Sequence, residues 1–483
     1  MSMGAWFPRV TIHSLVIAIS VLTYVLTTRV EHERRPPSIA IAWVLGMIAL
    51  PYVTLPMYLF FGRRKLPRKV LRWSGIRPHG AHWAEVLIES FGLSPSAHCA
   101  VHLHQDGRES AAALFATMSR ACARLDICTY ILGDDSFARE AVQCMIERAR
   151  SGVQVRLLID GVGALHVPRS CFSLLNAAGV ETAIFSPLFA RKTQGPRNLR
   201  NHRKMVIADA AQLWAGGRNI AAEYFVGLEG KAPWRDLSFD LQGQVAAAAA
   251  AQFEADWVAA GGSPAAGGSS VARDPAPIAV TGAAVAGSSN VGAAAGATAA
   301  AQRSADGRAQ FLPSGPDQAE DTVHALLIDA CFHVRERMIA VTPYFVPDAA
   351  LETAIRLAAR RGVRIDLVLP AVSNHLLADF ARNRALRALS RAGVGIHLLP
   401  YMNHAKAVVF DDSLALSGSV NLDSRSLLLN YECAVAFYGA AEIDWLASWI
   451  QALIPEARPF DPRAPSLLRD LGEGLLLTVA YQL

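Results

Sequence analysis

Two stretches of the chain carry the same pattern of polar residues at a fixed separation. The first runs Asn201-His202-Arg203-Lys204-Met205-Val206-Ile207-Ala208-Asp209 and leads to Gly216-Gly217-Arg218-Asn219. The second runs His404-Ala405-Lys406-Ala407-Val408-Val409-Phe410-Asp411 and leads to Ser417-Gly418-Ser419-Val420-Asn421. Each reads His-x-Lys-x-x-x-x-Asp, then a turn of small residues, then Asn. The His, Lys, Asp and Asn of the second copy all lie 202 positions after those of the first. One copy is weak evidence in a chain of 483 residues. Two copies in register point to a duplicated structural unit.

These residue types suit chemistry at a phosphate. Side chains alternate along a strand, so His202 and Lys204 share one side of it. The strand is expected to continue through Met205-Val206-Ile207 into a core. A lysine charge and an asparagine amide hold anionic oxygens. A histidine attacks phosphorus or carries a proton. One half-site lacks a second acid–base group, whereas two facing half-sites supply a nucleophile and an acid for the leaving group. Two purely structural His–Lys pairs on surface strands are the alternative; both copies keeping all four polar positions argues against it.

The flanking pattern is α/β and also repeats. Strands are expected over 127–132, 153–159 and 181–185, with helices over 137–150 and near 171–178, ahead of the first motif. The second half gives strands over 338–341, 363–369 and 395–399 and helices over 349–360 and 380–391, in the same order. A helix over 246–260 closes the first lobe. Asp160-Gly161-Val162-Gly163 follows a strand but lacks the third glycine of a dinucleotide turn. The expected fold is therefore two duplicated lobes, each a mixed sheet flanked by helices.

Residues 1–62 look like a membrane anchor. The chain is 52% hydrophobic, and two apolar runs, about 10–28 and 38–61, each have roughly the 20 residues that cross a bilayer. No small-residue cleavage site follows the first run. Arg63, Arg64, Lys65, Arg68, Lys69 and Arg72 come next with no acid among them, whereas Arg29, Arg34 and Arg35 between the runs are diluted by Glu31 and Glu33. The positive-inside rule then places the lobes in the cytoplasm. Residues 63–94 read as a basic juxtamembrane linker, whose charge either draws anionic headgroups or only fixes topology. The first lobe is expected over 95–260 and the second over 308–483. Between them, 261–307 is rich in Ala, Gly and Ser and too poor in large apolar residues to fold. The leucine-rich tail 467–483 is expected to pack on the second lobe. A net charge of +5 falls short of the basic bias of a dedicated nucleic-acid binder, so no nucleic acid is expected. The seven scattered cysteines, with no C-x-x-C, suggest reduced thiols and neither a disulfide framework nor a zinc site.

The duplicated motif resembles that of the phospholipase D superfamily. Other segments are similar to bacterial cardiolipin synthases: Tyr58-Leu59-Phe60-Phe61-Gly62-Arg63-Arg64 after the apolar runs, Trp234-Arg235-Asp236, Pro313-Ser314-Gly315-Pro316-Asp317, Thr342-Pro343-Tyr344-Phe345-Val346-Pro347-Asp348, and Asn421-Leu422-Asp423-Ser424-Arg425-Ser426 with Asn430-Tyr431-Glu432. The likeness covers nearly the whole chain apart from the interlobe loop. Ala405 stands where Ser is more usual, and Ala210 follows Asp209 where Gly is common; neither removes a reacting group.

The resemblance implies a displacement in two steps at phosphorus, with no metal or cofactor. The catalytic set is His202, Lys204, Asp209, His404, Lys406 and Asp411. Family habit makes His202 the nucleophile and His404 the acid and base, although the near symmetry of the sequence leaves the roles interchangeable. The lysines with Asn219 and Asn421 hold the phosphate oxygens; Asp236 and Glu432 orient the imidazoles. Asp209 and Asp411 lie seven positions from the histidines, so a regular strand turns them to the opposite face, in a supporting role. The implied substrates are phosphatidylglycerol and other phospholipids, in the inner membrane of a bacterial cell. Two rival readings are a membrane-anchored enzyme of the superfamily that hydrolyses, giving phosphatidic acid from phospholipids, and a non-catalytic membrane scaffold.

Overall fold

A computed structural model describes residues 7–30, 37–62, 82–187, 198–264, 302–463, 465, 466, 469 and 473. The strands of the first half are β1 Ala97–Leu103, β2 Arg124–Thr129, β3 Gln154–Asp160, β4 Glu181–Phe185, β5 Met205–Ala208, β6 Gln212–Gly216 and β7 Ser238–Gln242. Those of the second are β8 Gln302–Ser314, β9 Arg337–Val341, β10 Phe345–Val346, β11 Arg364–Pro370, β12 Gly395–Leu399, β13 Ala407–Phe410, β14 Leu414–Gly418, β15 Leu422–Asp423, β16 Glu432–Phe437 and β17 Arg458–Pro459.

Outward from the centre, one half runs β1-β7-β6-β5-β2-β3-β4 and the other β8-β16-β14-β13-β9-β11-β12, with β17 at the edge. The two orders correspond strand for strand. β1 and β8 lie antiparallel at the junction, so one sheet runs through both halves. β2, β3 and β4 are parallel, as are β9, β11 and β12. β5 and β13 run antiparallel to them. Strands buried on both faces read as near-continuous apolar runs, and 157–159 and 367–369 do so.

Helices cover both faces. Gln244–Ala259 and Ala440–Gln451 lie on one face, where Phe253, Trp257, Trp445 and Ile450 join side chains of both halves in a shared core. The other face carries Gly107–Arg120 and Ser136–Arg150 in the first half, and Thr322–His333 and Ala349–Arg360 in the second. Asp106, Asp135 and Asp348 cap three of these helices, each accepting backbone N–H bonds of the first turn. Register then positions the site. Cys128 of β2 pairs with Met205 of β5, and Val341 of β9 with Ala407 of β13. Each His-x-Lys segment thus enters its strand at the carboxyl end of the parallel strands.

Several expectations need correction. The second apolar run is not one helix. It divides at Leu50 into Pro37–Ala49 and Pro51–Phe61, with Pro51 opening the new helix where its missing N–H costs nothing. Among the described residues no helix is long and apolar enough to cross a membrane, so the two expected spans are not present as drawn. Instead Phe7–Val30 and the two shorter helices pack around Tyr24, Met47 and Tyr58, with Tyr58 Oη 2.6 Å from Thr27 Oγ1. Strand geometry begins at Met205 and Ala407, so the His-x-Lys pairs lie on the approach to the strands and not within them. The expected loop 261–307 ends early, because β8 starts at Gln302; residues 265–301 lie outside the described residues. The expected linker 63–94 contains a helix, Trp83–Ser90, whose Ala84 and Ile88 enter the core of the second half. The basic stretch 63–72 lies outside the described residues, as does most of the tail. Of the tail, Glu473 is buried and ion-paired with Arg387 at 2.5 Å, on the helix Leu376–Arg391.

Candidate active site

The two halves exchange backbone where the motifs meet. Asn201 bridges Tyr431, and Asn403 bridges Arg235, both in parallel. The His202 N–H donates to the Tyr431 carbonyl at 2.8 Å, and the His404 N–H to the Arg235 carbonyl at 2.6 Å. Tyr431 and Arg235 immediately precede Glu432 and Asp236. Each histidine is therefore carried to the carboxylate of the opposite half. His202 Nδ1 lies 3.0 and 3.1 Å from the two Glu432 oxygens. His404 Nδ1 lies 2.7 Å from Asp236 Oδ2. The sequence names both carboxylates but not this crossed pairing.

A proton on Nδ1, given to a carboxylate, leaves the Nε2 lone pair of each ring free to attack or to take a proton. Burial, opposed only in part by Glu432, lowers the His202 pKa to about 4. Burial and the Lys406 charge lower that of His404 to about 3. Both rings are thus neutral at pH 7. Burial alone would raise the two carboxyls, but His202 holds Glu432, and His404 holds Asp236, below the usual range. Burial also brings Lys204 down to about 8 and Lys406 to about 7. Each lysine acts on the imidazole of the opposite half-site as well as its own, so the four groups share one electrostatic environment.

The lysines are fixed by their own motifs. Lys204 Nζ donates to the His202 carbonyl at 2.8 Å, and Lys406 Nζ to that of His404. Asn219 and Asn421 each spend one amide N–H on a hydroxyl, Tyr224 Oη at 2.9 Å and Ser426 Oγ at 3.1 Å. The two carboxylates are held unequally. Glu432 accepts from Ser419 Oγ at 2.5 Å and Ser426 Oγ at 2.9 Å. In the first half Gly217 replaces Ser419, and a Cβ there would come within 2.2 Å of Asp236. Aromatic rings line the pair: Tyr130 is 5.0 Å from His202, and Tyr224 and Trp234 are 5.1 and 5.8 Å from His404.

Asp209 and Asp411 bond backbone amides at the far ends of β5 and β13, in keeping with the supporting role expected of them. Each sits at the tip of a hairpin with φ of +53° and +48°, a conformation Asp tolerates better than most residues. Asp209 accepts the backbone N–H of Cys122, Ala123 and Arg124, each at 2.8 Å. Asp411 does the same for Arg335, Glu336 and Arg337. The length of the strand between them carries each Asp to the end away from its His. Asp209→Ala is expected to destabilise the fold by on the order of 1 kcal/mol, because the three N–H donors it leaves are exposed and water takes the place of the carboxylate. Asp209→Asn is expected to keep most of that stability. Turnover per folded molecule stays within a few fold in both, measured as transfer rate against thermal midpoint.

Arg203 is the residue that the motif shows but spacing gives no role. Fully buried, it donates to Asp256 at 2.5 Å, Asp317 at 3.0 and 3.1 Å, and the Glu432 carbonyl at 2.9 Å. It thus locks a first-half loop onto the second half behind Glu432. Its counterpart is Ala405, so the lock exists on one side only. The sequence signal was a charged residue flanked by motif positions at the mouth of an apolar strand.

Comparison with known proteins gives the family. Residues 114–257 and 327–454 match the family described as cardiolipin synthase, PLD-like domain. Residues 15–63 match the phospholipase D-nuclease N-terminal family. The chain is 28% identical over 489 residues to cardiolipin synthase A of Pseudomonas aeruginosa, covering 95% of this chain and 93% of that protein. It is 30% identical over 419 residues to cardiolipin synthase A of Pseudomonas fluorescens, covering 81% of each. Among solved structures, phosphatidylserine synthase of Haemophilus influenzae shares the fold, with a TM-score of 0.57 at 12% identity over 79% of this chain and 95% of that one.

Proposed function

Since the chain belongs to the phospholipase D-like family of cardiolipin synthases, we propose that it is a phosphatidyltransferase that joins two phosphatidylglycerols into cardiolipin and releases glycerol. The observation that carries this reading is the crossed pair of His–carboxylate contacts in one shared site.

In the proposed sequence His202 Nε2 attacks the phosphorus of one phosphatidylglycerol, and the P–O bond to the headgroup glycerol breaks. As the phosphodiester anion enters beside it, His404 Nε2 takes up a proton from solvent, and it passes that proton to the leaving oxygen. A phosphatidyl-histidine remains. The headgroup hydroxyl of a second phosphatidylglycerol then gives its proton to His404 and attacks phosphorus, and His202 departs as the neutral ring. Lys204 and Lys406, whose charge burial has weakened, regain it beside the phosphate and stabilise the charge that moves onto the equatorial oxygens. Asn219 and Asn421 each have a second amide N–H to add. His202 as nucleophile accords with its greater exposure, 13% of the side chain against 4% for His404. Mass spectrometry of an acid-quenched reaction is expected to find the adduct on His202; an adduct on His404 exchanges the roles.

A covalent phosphoryl intermediate is open to water, so a transferase has to favour a lipid alcohol at the second step. Two features favour it here. Aromatic rings stand against both histidines. The N-terminal helices turn Leu15, Leu22, Leu45 and Leu59 outward, each more than half exposed, and so broad an apolar surface is suited to a bilayer. In this reading those helices hold the enzyme to the inner membrane of a bacterial cell, where donor and acceptor lipids are concentrated in one leaflet, with the lobes on the cytoplasmic side. Purified chain with radiolabelled phosphatidylglycerol is expected to yield cardiolipin and free glycerol. Phosphatidic acid as the main product would replace synthase by hydrolase; no turnover would leave the scaffold reading.

A further inference from the structure

Strand β1 ends at Leu103 between His102 and His104, and side chains two apart on extended backbone share a face. Asp240 of β7 lies directly opposite His102 in the antiparallel register. The three meet on the sheet face away from Val101 and Leu103, which enter the shared core. Asp240 Oδ2 is 3.7 Å from His102 Nδ1 and 3.1 Å from His104 Nε2. One ligand atom from each residue fits within 4.8 Å of the other two. A tetrahedral cation with bonds of about 2.0 Å spaces its ligand atoms about 3.3 Å apart, a value the two Asp240 separations bracket.

A second feature also points to a cation. His102 Nε2, the outer nitrogen, is 2.8 Å from Glu109 Oε1, and Glu109 is itself fixed by the Gln105 N–H at 2.6 Å. A carboxylate behind an imidazole sets its tautomer and turns the other lone pair inward, the usual support of a metal-binding histidine. With Nε2–H given to Glu109, Nδ1 faces Asp240 as a lone pair opposite an anionic oxygen. His104 is wholly buried, and its Nδ1 and Asp240 Oδ1, both shut off from solvent, have no hydrogen-bond partner among the described residues. A buried carboxylate oxygen without a donor is costly, and a cation that Asp240 holds through both oxygens, with Oδ2 the nearer to the histidines, relieves that cost.

We propose that His102, His104 and Asp240 form a site for a divalent cation of the zinc class, oriented by Glu109 and completed by water at the partly open side. The ligands are nitrogen and oxygen, which cysteine spacing cannot signal. The site stands outside the reacting pair and takes no step in the transfer. It clamps β1 to β7 close to where the His104 N–H donates to the Ser238 carbonyl at 3.0 Å, two residues from Asp236.

The test uses the full chain without an affinity tag, purified in detergent, stripped with chelator and titrated with Co²⁺. One equivalent is expected to give the strong visible absorption of tetrahedral cobalt, which Zn²⁺ displaces while raising the thermal midpoint. His102→Gln and Asp240→Asn are expected to lose the band. Glu109→Gln is expected to keep it with affinity weakened roughly 10–100-fold. His98→Gln, at an exposed position of the same strand, serves as the control and keeps full binding. No band in the unaltered chain, or a band that survives both His102→Gln and Asp240→Asn, overturns the assignment.

Discussion

His202→Ala is expected to lower phosphatidyl transfer by about 10⁴-fold or more, and His404→Ala by a similar order. The two losses should not multiply. Once one histidine is gone the other has no intermediate to act on, so the double variant is expected to match the worse single one. The fold should survive. The backbones of both histidines are pinned by the bridges to Tyr431 and Arg235, and an alanine leaves those bridges intact. Transfer rate is measured beside circular dichroism and thermal midpoint. A folded His202→Ala protein within tenfold of the unaltered rate would sink the proposed chemistry.

The carboxylates give the second large effect, and it separates the two roles. Glu432→Gln replaces the acceptor that keeps the proton on His202 Nδ1. The amide can present N–H₂ to the ring, favouring the tautomer with the proton on Nε2, where no lone pair remains for attack. A loss of roughly 10²–10⁴-fold is expected. Asp236→Asn acts on His404 in the same way and is expected to cost a similar factor with phosphatidylglycerol. A phosphodiester with a nitrophenyl leaving group needs little acid help. On that substrate, release of nitrophenol by Asp236→Asn is expected to recover most of its rate, whereas Glu432→Gln stays impaired. Recovery in Glu432→Gln instead exchanges nucleophile and acid between the halves. Equal impairment of both variants on both substrates counts against separate roles.

The duplicated lobes were legible because they rest on local pattern. A register of 202 residues between the motifs, and apolar runs such as 157–159 and 367–369, are set by period and composition. What was not legible depends on chain far away in sequence. The partners of His202 and His404 lie 230 and 168 positions distant, and nothing in local spacing says that they cross. Arg203 gains its role only when Asp256 and Asp317 arrive beside it. The short helix Trp83–Ser90 was hidden in a segment read for its charge, and its N-cap is His82, an unusual cap. In 38–61 mean hydropathy outweighed a local signal: Pro51 was visible, but an apolar run looks continuous even where its backbone breaks.

The exchange of histidines and carboxylates between halves bears on how such a chain can be divided or inherited. Neither half owns a working acid–base pair, because each lends its carboxylate and borrows another. A polypeptide consisting of one half would be inert until it met a second, and two identical halves would serve as well as two different ones. Fusion into one chain then fixes the stoichiometry and frees the copies to diverge. The unequal surroundings of Glu432 and Asp236 and the solitary Arg203 are the kind of difference that only a joined pair can accumulate.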